Sequence, residues 1–227
     1  MNSMIIASNM LNEIEQLPRW FEWVEKIADG ILIVDTGSTD GTLDFAKKHG
    51  ATVITDDIIQ REGYGAARNQ LRNLARVHFP GAHWLAYFDA DETVLESDFH
   101  HWRFLRDYLD TKFDIIALPR IDWFDFEMTK AANDFHYQPD YQARMSRLGS
   151  GVEYYRKLHE MIRNYTGVFN KTTNPKINHF HRAIQSKRDF IGKLCAKLHM
   201  EDKEFGHTLG EHPKEAHYRE LLQKEGL

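Results

Sequence analysis

Four short apolar runs in the first ninety residues each end in acids or an amide, and each gap between them leaves room for a helix. Met4–Leu11 runs into Asn12 and Glu13, Ile31–Val34 into Asp35, Thr52–Ile54 into Asp56 and Asp57, and Trp84–Phe88 into Asp89-Ala90-Asp91-Glu92. The second run is continuous rather than alternating, as in a strand covered on both faces. Between the first two, Leu17, Trp20, Phe21, Val24 and Ile27 recur at helical spacing, with Pro18 suited to a first turn. Ser38 or Thr39 can cap a second helix carrying Leu43, Phe45 and Ala46, which Gly50 ends, and a third runs from about Ala66 to Val77. Strand and helix alternating in this way predict an open, doubly wound, mostly parallel α/β sheet.

The second half reads less regularly. Ile115–Leu118 is a strand, and Ile121–Phe126 another strand or a lining loop. Residues 127–178, rich in aromatics, Asn and Gly, predict loops and short antiparallel strands. Phe190, Ile191, Leu194, Cys195 and Leu198 share one face of a tail helix, and Pro213 opens a last short one. The expected organisation is a catalytic domain over 1–178, with a ligand-binding half (1–95) and an acceptor half (96–178), then a helical extension over 179–227.

Composition narrows the function classes. Lys and Arg number 29 against 34 Asp and Glu, so the chain as a whole is not built to coat nucleic acid. A single cysteine, Cys195, excludes an intramolecular disulfide and a multi-cysteine zinc site. The longest apolar runs are about five residues against the ~20 of a membrane helix, and no charged-then-apolar leader opens the sequence. A soluble cytoplasmic protein is the expectation, with room for peripheral membrane contact. Lys187, Arg188, Lys193, Lys197 and Lys203 form either a solvated face or a patch for a polyanionic acceptor.

The acids carry the functional reading. In an open parallel sheet the carboxyl ends of the strands line the ligand crevice. Carboxylates gathered there repel one another unless a cation joins them. Oxygen ligands suit a hard ion, Mg²⁺ or Mn²⁺, which keeps positions open for substrate phosphates. In Asp89-Ala90-Asp91 the two acids point the same way from an extended segment, so one can take a metal while the other accepts from a sugar hydroxyl. A strand-to-turn junction that merely uses acids to end a strand is the plainer alternative for that tripeptide taken alone.

These segments, in this order, resemble family-2 glycosyltransferases of the GT-A fold. The likeness rests on Asn12-Glu13, on Val34-Asp35-Thr36-Gly37-Ser38-Thr39-Asp40-Gly41-Thr42, on Ala67-Arg68-Asn69 and on Phe88-Asp89-Ala90-Asp91-Glu92. It covers residues 4–95 in detail. A weaker likeness, to bacterial members that decorate surface glycans, continues to Leu158-His159-Glu160 and Ile177-Asn178-His179. The resemblance implies a nucleotide-diphosphate sugar donor, inverting transfer of a hexosyl or related group, and Mn²⁺ or Mg²⁺. By position, Asp35 with Thr36 holds the base, Arg68 contacts the nucleotide, Asp89 binds the ribose and Asp91 the metal. Asn12, Glu13 and Asp57 complete the donor side. His179, or His181 two residues on, joins the metal, and Glu160 deprotonates the acceptor, with Asp140 or Glu153 next in line. Many members stack an aromatic on the base just after the first strand, where this chain has Met10-Leu11.

The acceptor implied is a glycan, a lipid-linked sugar or a modified DNA base. The sequence lacks G-x-G-x-x-G after the first strand, a P-loop and G-x-S-x-G. The remaining alternatives are a sugar nucleotidyltransferase and a non-catalytic nucleotide- or glycan-binding module.

Overall fold

The computed structural model describes residues 2–108, 112–131, 139–158 and 160–184. The first 90 residues form the predicted alternation. β1 (Met4–Met10), α1 (Leu17–Ile27), β2 (Gly30–Asp35), α2 (Thr42–Lys48) and β3 (Thr52–Thr55) come first. α3 (Ile58–Glu62), α4 (Tyr64–His78), β4 (Trp84–Tyr87) and the two-residue β5 (Glu92–Thr93) follow. A 3₁₀ turn at Glu96–Asp98 then leads into α5 (Phe99–Tyr108). Beyond it lie β6 (Phe113–Asp122), β7 (Asp140–Arg147), β8 (Glu153–Tyr155), β9 (Met161–Arg163), β10 (Val168–Lys171), β11 (Ile177–His179) and α6 (His181–Ile184).

One mixed sheet runs β3-β2-β1-β4-β7-β6-β11-β5, with β10 also on β6, and β8-β9 form a separate hairpin. The pairings β3-β2, β2-β1 and β1-β4 are all parallel. β7 enters antiparallel to both β4 and β6, whereas β10 and β11 lie parallel to β6. This is the α/β, mostly parallel architecture expected, with a short antiparallel part. Strict alternation builds two cores. Met4, Ile6, Ile31, Ile33, Trp84 and Ala86 face Trp20, Phe21 and Val24 of α1. Ile5, Ala7, Leu32, Val34, Leu85 and Tyr87 face Leu71 and Ala75 of α4. Each large apolar side chain fully buried this way contributes about 1.5–3 kcal/mol.

Several local expectations change. α2 is held at its start by Asp40, not Ser38 or Thr39: Asp40 Oδ1 accepts from the Thr42 amide and hydroxyl at 3.0 and 2.6 Å. Gly41 next to it sits at φ 98°, a conformation that disfavours a side chain. Ile115–Leu118 and Ile121-Asp122 belong to one ten-residue strand, and the chain leaves the sheet only at Trp123. The region predicted as loops and short antiparallel strands contains the eight-residue β7 at the centre of the sheet, and β10 and β11 lie parallel to β6. The segment 177–179 that the predicted domain boundary crosses is β11, paired with β6 and β5. The predicted tail helices and basic stretch lie outside the described residues. No helix among the described residues is long and apolar enough to cross a membrane.

Candidate active site

Asp35 ends β2 beside Met10, and Tyr87, two residues before Asp89, pairs with Ala7 on the other flank of β1. The two acids therefore share one rim, about 10 Å apart at two strand spacings. Asp35 is 1% exposed. Its Oδ1 accepts the Gly37 and Ser38 amides at 3.0 and 2.9 Å, and its Oδ2 is buried with no protein partner among the described residues. A buried acceptor left open is costly, which marks Oδ2 as a place for a ligand donor. Thr36 is tied back to Met10 through both its amide and its hydroxyl. Asn12, at φ 54°, latches the following turn: its Oδ1 accepts from Thr39 N and its own amide donates to Ser38 Oγ, both at 2.8 Å. The Glu13 amide donates to Thr42 Oγ1, and its carbonyl receives Gln16 and Leu17 at the start of α1. Asn12 and Glu13 thus shape the Asp35 loop.

α4 enters the rim through glycines. A Cβ on Gly63 or Gly65 would lie 2.6 Å from the backbone of Lys157 or Arg156, and the Tyr64 and Gly65 amides donate to these same two carbonyls. One turn later Asn69 clamps Tyr154 of β8 in both directions, donating at 2.7 Å and accepting at 2.8 Å. This docking brings Arg68 against Glu160, 92 residues away, in an ion pair through Nε, while its guanidinium lies 3.5 Å from the Tyr87 ring centroid. Arg68 Nη1 is buried without a protein partner among the described residues. Burial alone would raise the Glu160 carboxyl, but Arg68 holds it below its ordinary value.

The acids after β4 meet a cation from the other half of the chain. Arg144 of β7 is 2% exposed and donates through Nη2 to Asp89 Oδ2 at 3.0 Å and to Glu92, itself 1% exposed. Burial opposes the charge on Asp89, yet Arg144 and Arg68 outweigh it and keep this carboxyl low. On Glu92 burial wins, and the carboxyl is raised. The repulsion expected among rim carboxylates is thus met largely by the protein's own arginines.

Asp91 takes a different neighbourhood. His179, at the end of β11, places Nε2 at 3.4 Å from Asp91 Oδ2, and His181 places Nδ1 at 3.7 Å from the same oxygen. One ligand atom from each of these three residues lies within 4.8 Å of the others. His179 Nδ1 is held by Asp122 of β6, and Asp122 lies 3.6 Å from Arg120. A carboxylate behind an imidazole fixes its orientation and directs the other nitrogen outward, as in metal-binding histidines. Burial disfavours charge on His179, but Asp91 and Asp122 together push it up to about 10. Asp91 is correspondingly held low, with His179 outweighing burial. One carboxylate and two imidazoles brought together in this way form a donor set that could hold a divalent ion, and His179 and His181, the two histidines singled out from the sequence, both belong to it.

With the rim assembled, comparison with known proteins is decisive. The profile described as glycosyl transferase family 2 matches residues 9–191. The chain belongs to that family. A TPR repeat-containing protein of Synechococcus elongatus is 35% identical over 100 residues, covering 44% of this chain and 22% of that protein. Glucosyl-3-phosphoglycerate synthase from Mycobacterium tuberculosis, solved with Mn²⁺, UDP and glucosyl-3-phosphoglycerate, superposes with a TM-score of 0.41 at 17% identity, covering 54% of this chain and 44% of that one. The same enzyme solved with Mg²⁺ and UDP gives 0.40 at 17%, covering 53% and 44%. The chain spans about a fifth of the curated relative and under half of these solved chains.

Within this family-2 chain the sequence-predicted residues separate into groups. Asp89 and Asp91 lie on the rim, Arg68 is paired with Glu160, and His179 and His181 both face Asp91. Asp57 stands apart, exposed at the start of α3 and paired with Arg61. Asp140 is bound to Arg120 at 2.7 Å, and Glu153 to Arg163 at 2.7 Å on the outer hairpin. Sequence reasoning missed Arg144, Asp122 and the Asn69 clamp. An arginine set between the apolar Ala143 and Met145 was the available signal for Arg144. Nothing local marked Asp122.

Proposed function

We propose that this protein is a metal-dependent inverting glycosyltransferase that moves a sugar from a nucleotide-diphosphate donor to an acceptor hydroxyl. One observation carries the reading: a buried carboxylate oxygen on Asp35, unpartnered among the described residues, and the Asp91–His179–His181 group stand at the strand-end rim of a family-2 chain. Asp35, backed by Thr36, receives an N–H of the base. Asp89, oriented by Arg144, accepts from the ribose. Arg68, whose Nη1 has no partner among the described residues, reaches the diphosphate. Asp91 and His179 hold the divalent ion, which when bound offsets negative charge on the departing diphosphate as a Lewis acid.

Glu160 is the proton acceptor in this scheme. The acceptor O–H proton passes to its carboxylate as the oxygen bonds to the anomeric carbon from the face opposite the diphosphate. The bond from that carbon to the phosphate oxygen breaks, and the configuration inverts. General-base assistance of this kind contributes about 10²–10⁴-fold. The Arg68 pair keeps Glu160 ionised but weakly basic, so a turn of Arg68 toward the diphosphate frees the base as the donor arrives.

The test is nucleotide-diphosphate release from a panel of nucleotide sugars, with and without Mn²⁺, Mg²⁺ and chelator. The reading expects one donor to be hydrolysed slowly in a metal-dependent manner, and faster with a matching acceptor. A donor that binds but is never turned over, with any acceptor tried, points instead to a binding module.

A further inference from the structure

We infer that His181 is a second imidazole ligand alongside His179, so that this site prefers a first-row transition ion such as Mn²⁺ to Mg²⁺. The inference deepens the metal-dependent reading above and rests on it. The backbone fixes the arrangement. The Phe180 amide donates to the Asp91 carbonyl at 2.9 Å, and the Phe180 carbonyl receives Ala183 and Ile184 as α6 begins. The Phe180 ring is buried, with the Arg19 guanidinium 4.4 Å from its centroid. With that middle residue pinned, His179 at the end of β11 and His181 at the start of α6 both face Asp91. Their rings stack at 5.5 Å with planes 9° apart, and both address Asp91 Oδ2. Bonds of about 2.1 Å to an ion place neighbouring ligand atoms about 3 Å apart. The separations of 3.4 and 3.7 Å lie close to that value, and joint ligation asks the near-parallel rings to turn until both nitrogen lone pairs point at one ion.

Ligand chemistry then selects the ion. Mg²⁺ seeks carboxylates and water, whereas imidazole favours the later first-row ions. The other two acids of the Asp89–Glu92 segment are both engaged by Arg144, leaving Asp91 as the carboxylate aimed at the histidines. One carboxylate with two imidazoles is a poor Mg²⁺ site; it holds Mn²⁺ better, and ions later in the series better still.

The experiment uses the full chain stripped with chelator, without nucleotide sugar, so that it reads the ion alone. Mn²⁺ binding is followed by electron paramagnetic resonance and calorimetry with Mg²⁺ in competition, and bound nitrogens by pulsed resonance. The wild type is expected to bind one Mn²⁺ at this site, with Mg²⁺ competing only at about tenfold or greater excess and two imidazole nitrogens coupled to the ion. His181→Ala and His181→Asn are expected to weaken Mn²⁺ by about tenfold, leave Mg²⁺ within about threefold and lose one nitrogen coupling. Coincident metal-free melting curves confirm that the variants fold. Mn²⁺ affinity and nitrogen coupling unchanged in both variants overturn the role of His181, as does equal affinity of the wild type for Mn²⁺ and Mg²⁺. A wild type that binds no ion while turning over a donor in chelator overturns the metal reading as well, yet leaves the transferase reading standing.

Discussion

The β3-β2-β1-β4 half of the sheet and the β7-β6-β11-β5 half build the rim by different means. In the parallel half each residue stands at or just past the end of its own strand: Asp35 ends β2, and Asp89 and Asp91 follow β4. The chain direction alone puts them at one edge. In the mixed half the contributors come from the middle or end of strands running both ways: Arg144 within β7, Asp122 at the end of β6, His179 at the end of β11. The parallel half supplies open acceptors, and the mixed half supplies the cations and imidazoles that control them. A carboxylate on this rim is therefore defined less by its own strand than by what the far half places against it.

Glu160→Gln tests that division most severely. It removes the proposed base while leaving the donor rim in place, so turnover should fall about 10²–10⁴-fold with donor affinity retained. Single-turnover kinetics alongside calorimetric titration of the donor separates the two, and undiminished turnover would remove Glu160 from catalysis. Arg144→Met comes next. It strips the buried counter-charge from Glu92 and Asp89, and breaking a buried pair costs about 3–5 kcal/mol. Denaturant unfolding should show that loss, and Arg144→Met combined with Glu92→Gln should recover part of it. A single variant as stable as the wild type would mean that the far half does not control these acids.

Asn69→Ala should cost about 1–3 kcal/mol, because the backbone amide and carbonyl of Tyr154 lose their side-chain partner at once. It should also lower turnover by loosening Arg68 against Glu160. Normal melting with normal kinetics would separate the clamp from the site. The smallest effect concerns pH. Burial would raise Asp114, but the Gly167 amide, Arg147 and the Thr166 amide hold its carboxyl below the ordinary value. Since its folded pKa lies below the unfolded one, its stabilisation is complete above about pH 4 and disappears as pH falls through the folded value. Asp114→Asn should flatten the acid limb of a melting-temperature profile and leave its shape near neutrality unchanged. An acid limb identical to the wild type would rule out this contribution.

Legibility followed the same divide. The βα alternation, the helix bearing Trp20 and Phe21, and the placement of Asp35, Asp89 and Asp91 at strand ends were all readable, because each depends on residues within a turn or two of one another. Glu160 was singled out without any sign that Arg68 would hold it. His179 and His181 looked like alternatives because spacing shows that two residues share a side but not what they face. Asp57 looked equivalent to Asp35 as an acid at a strand end, yet it lies exposed just ahead of the next helix, bound to Arg61.

What the sequence alone determined, then, is the set of strand-end acids and the edge on which they stand, since alternation of strand and helix has one dominant handedness and orientation. Which acids stay open and which are neutralised was decided only in three dimensions. Arg144 meets Asp89 across 55 residues, and Glu160 meets Arg68 across 92. Such contacts depend on sheet register and on glycine-mediated close approach, and no local pattern encodes either.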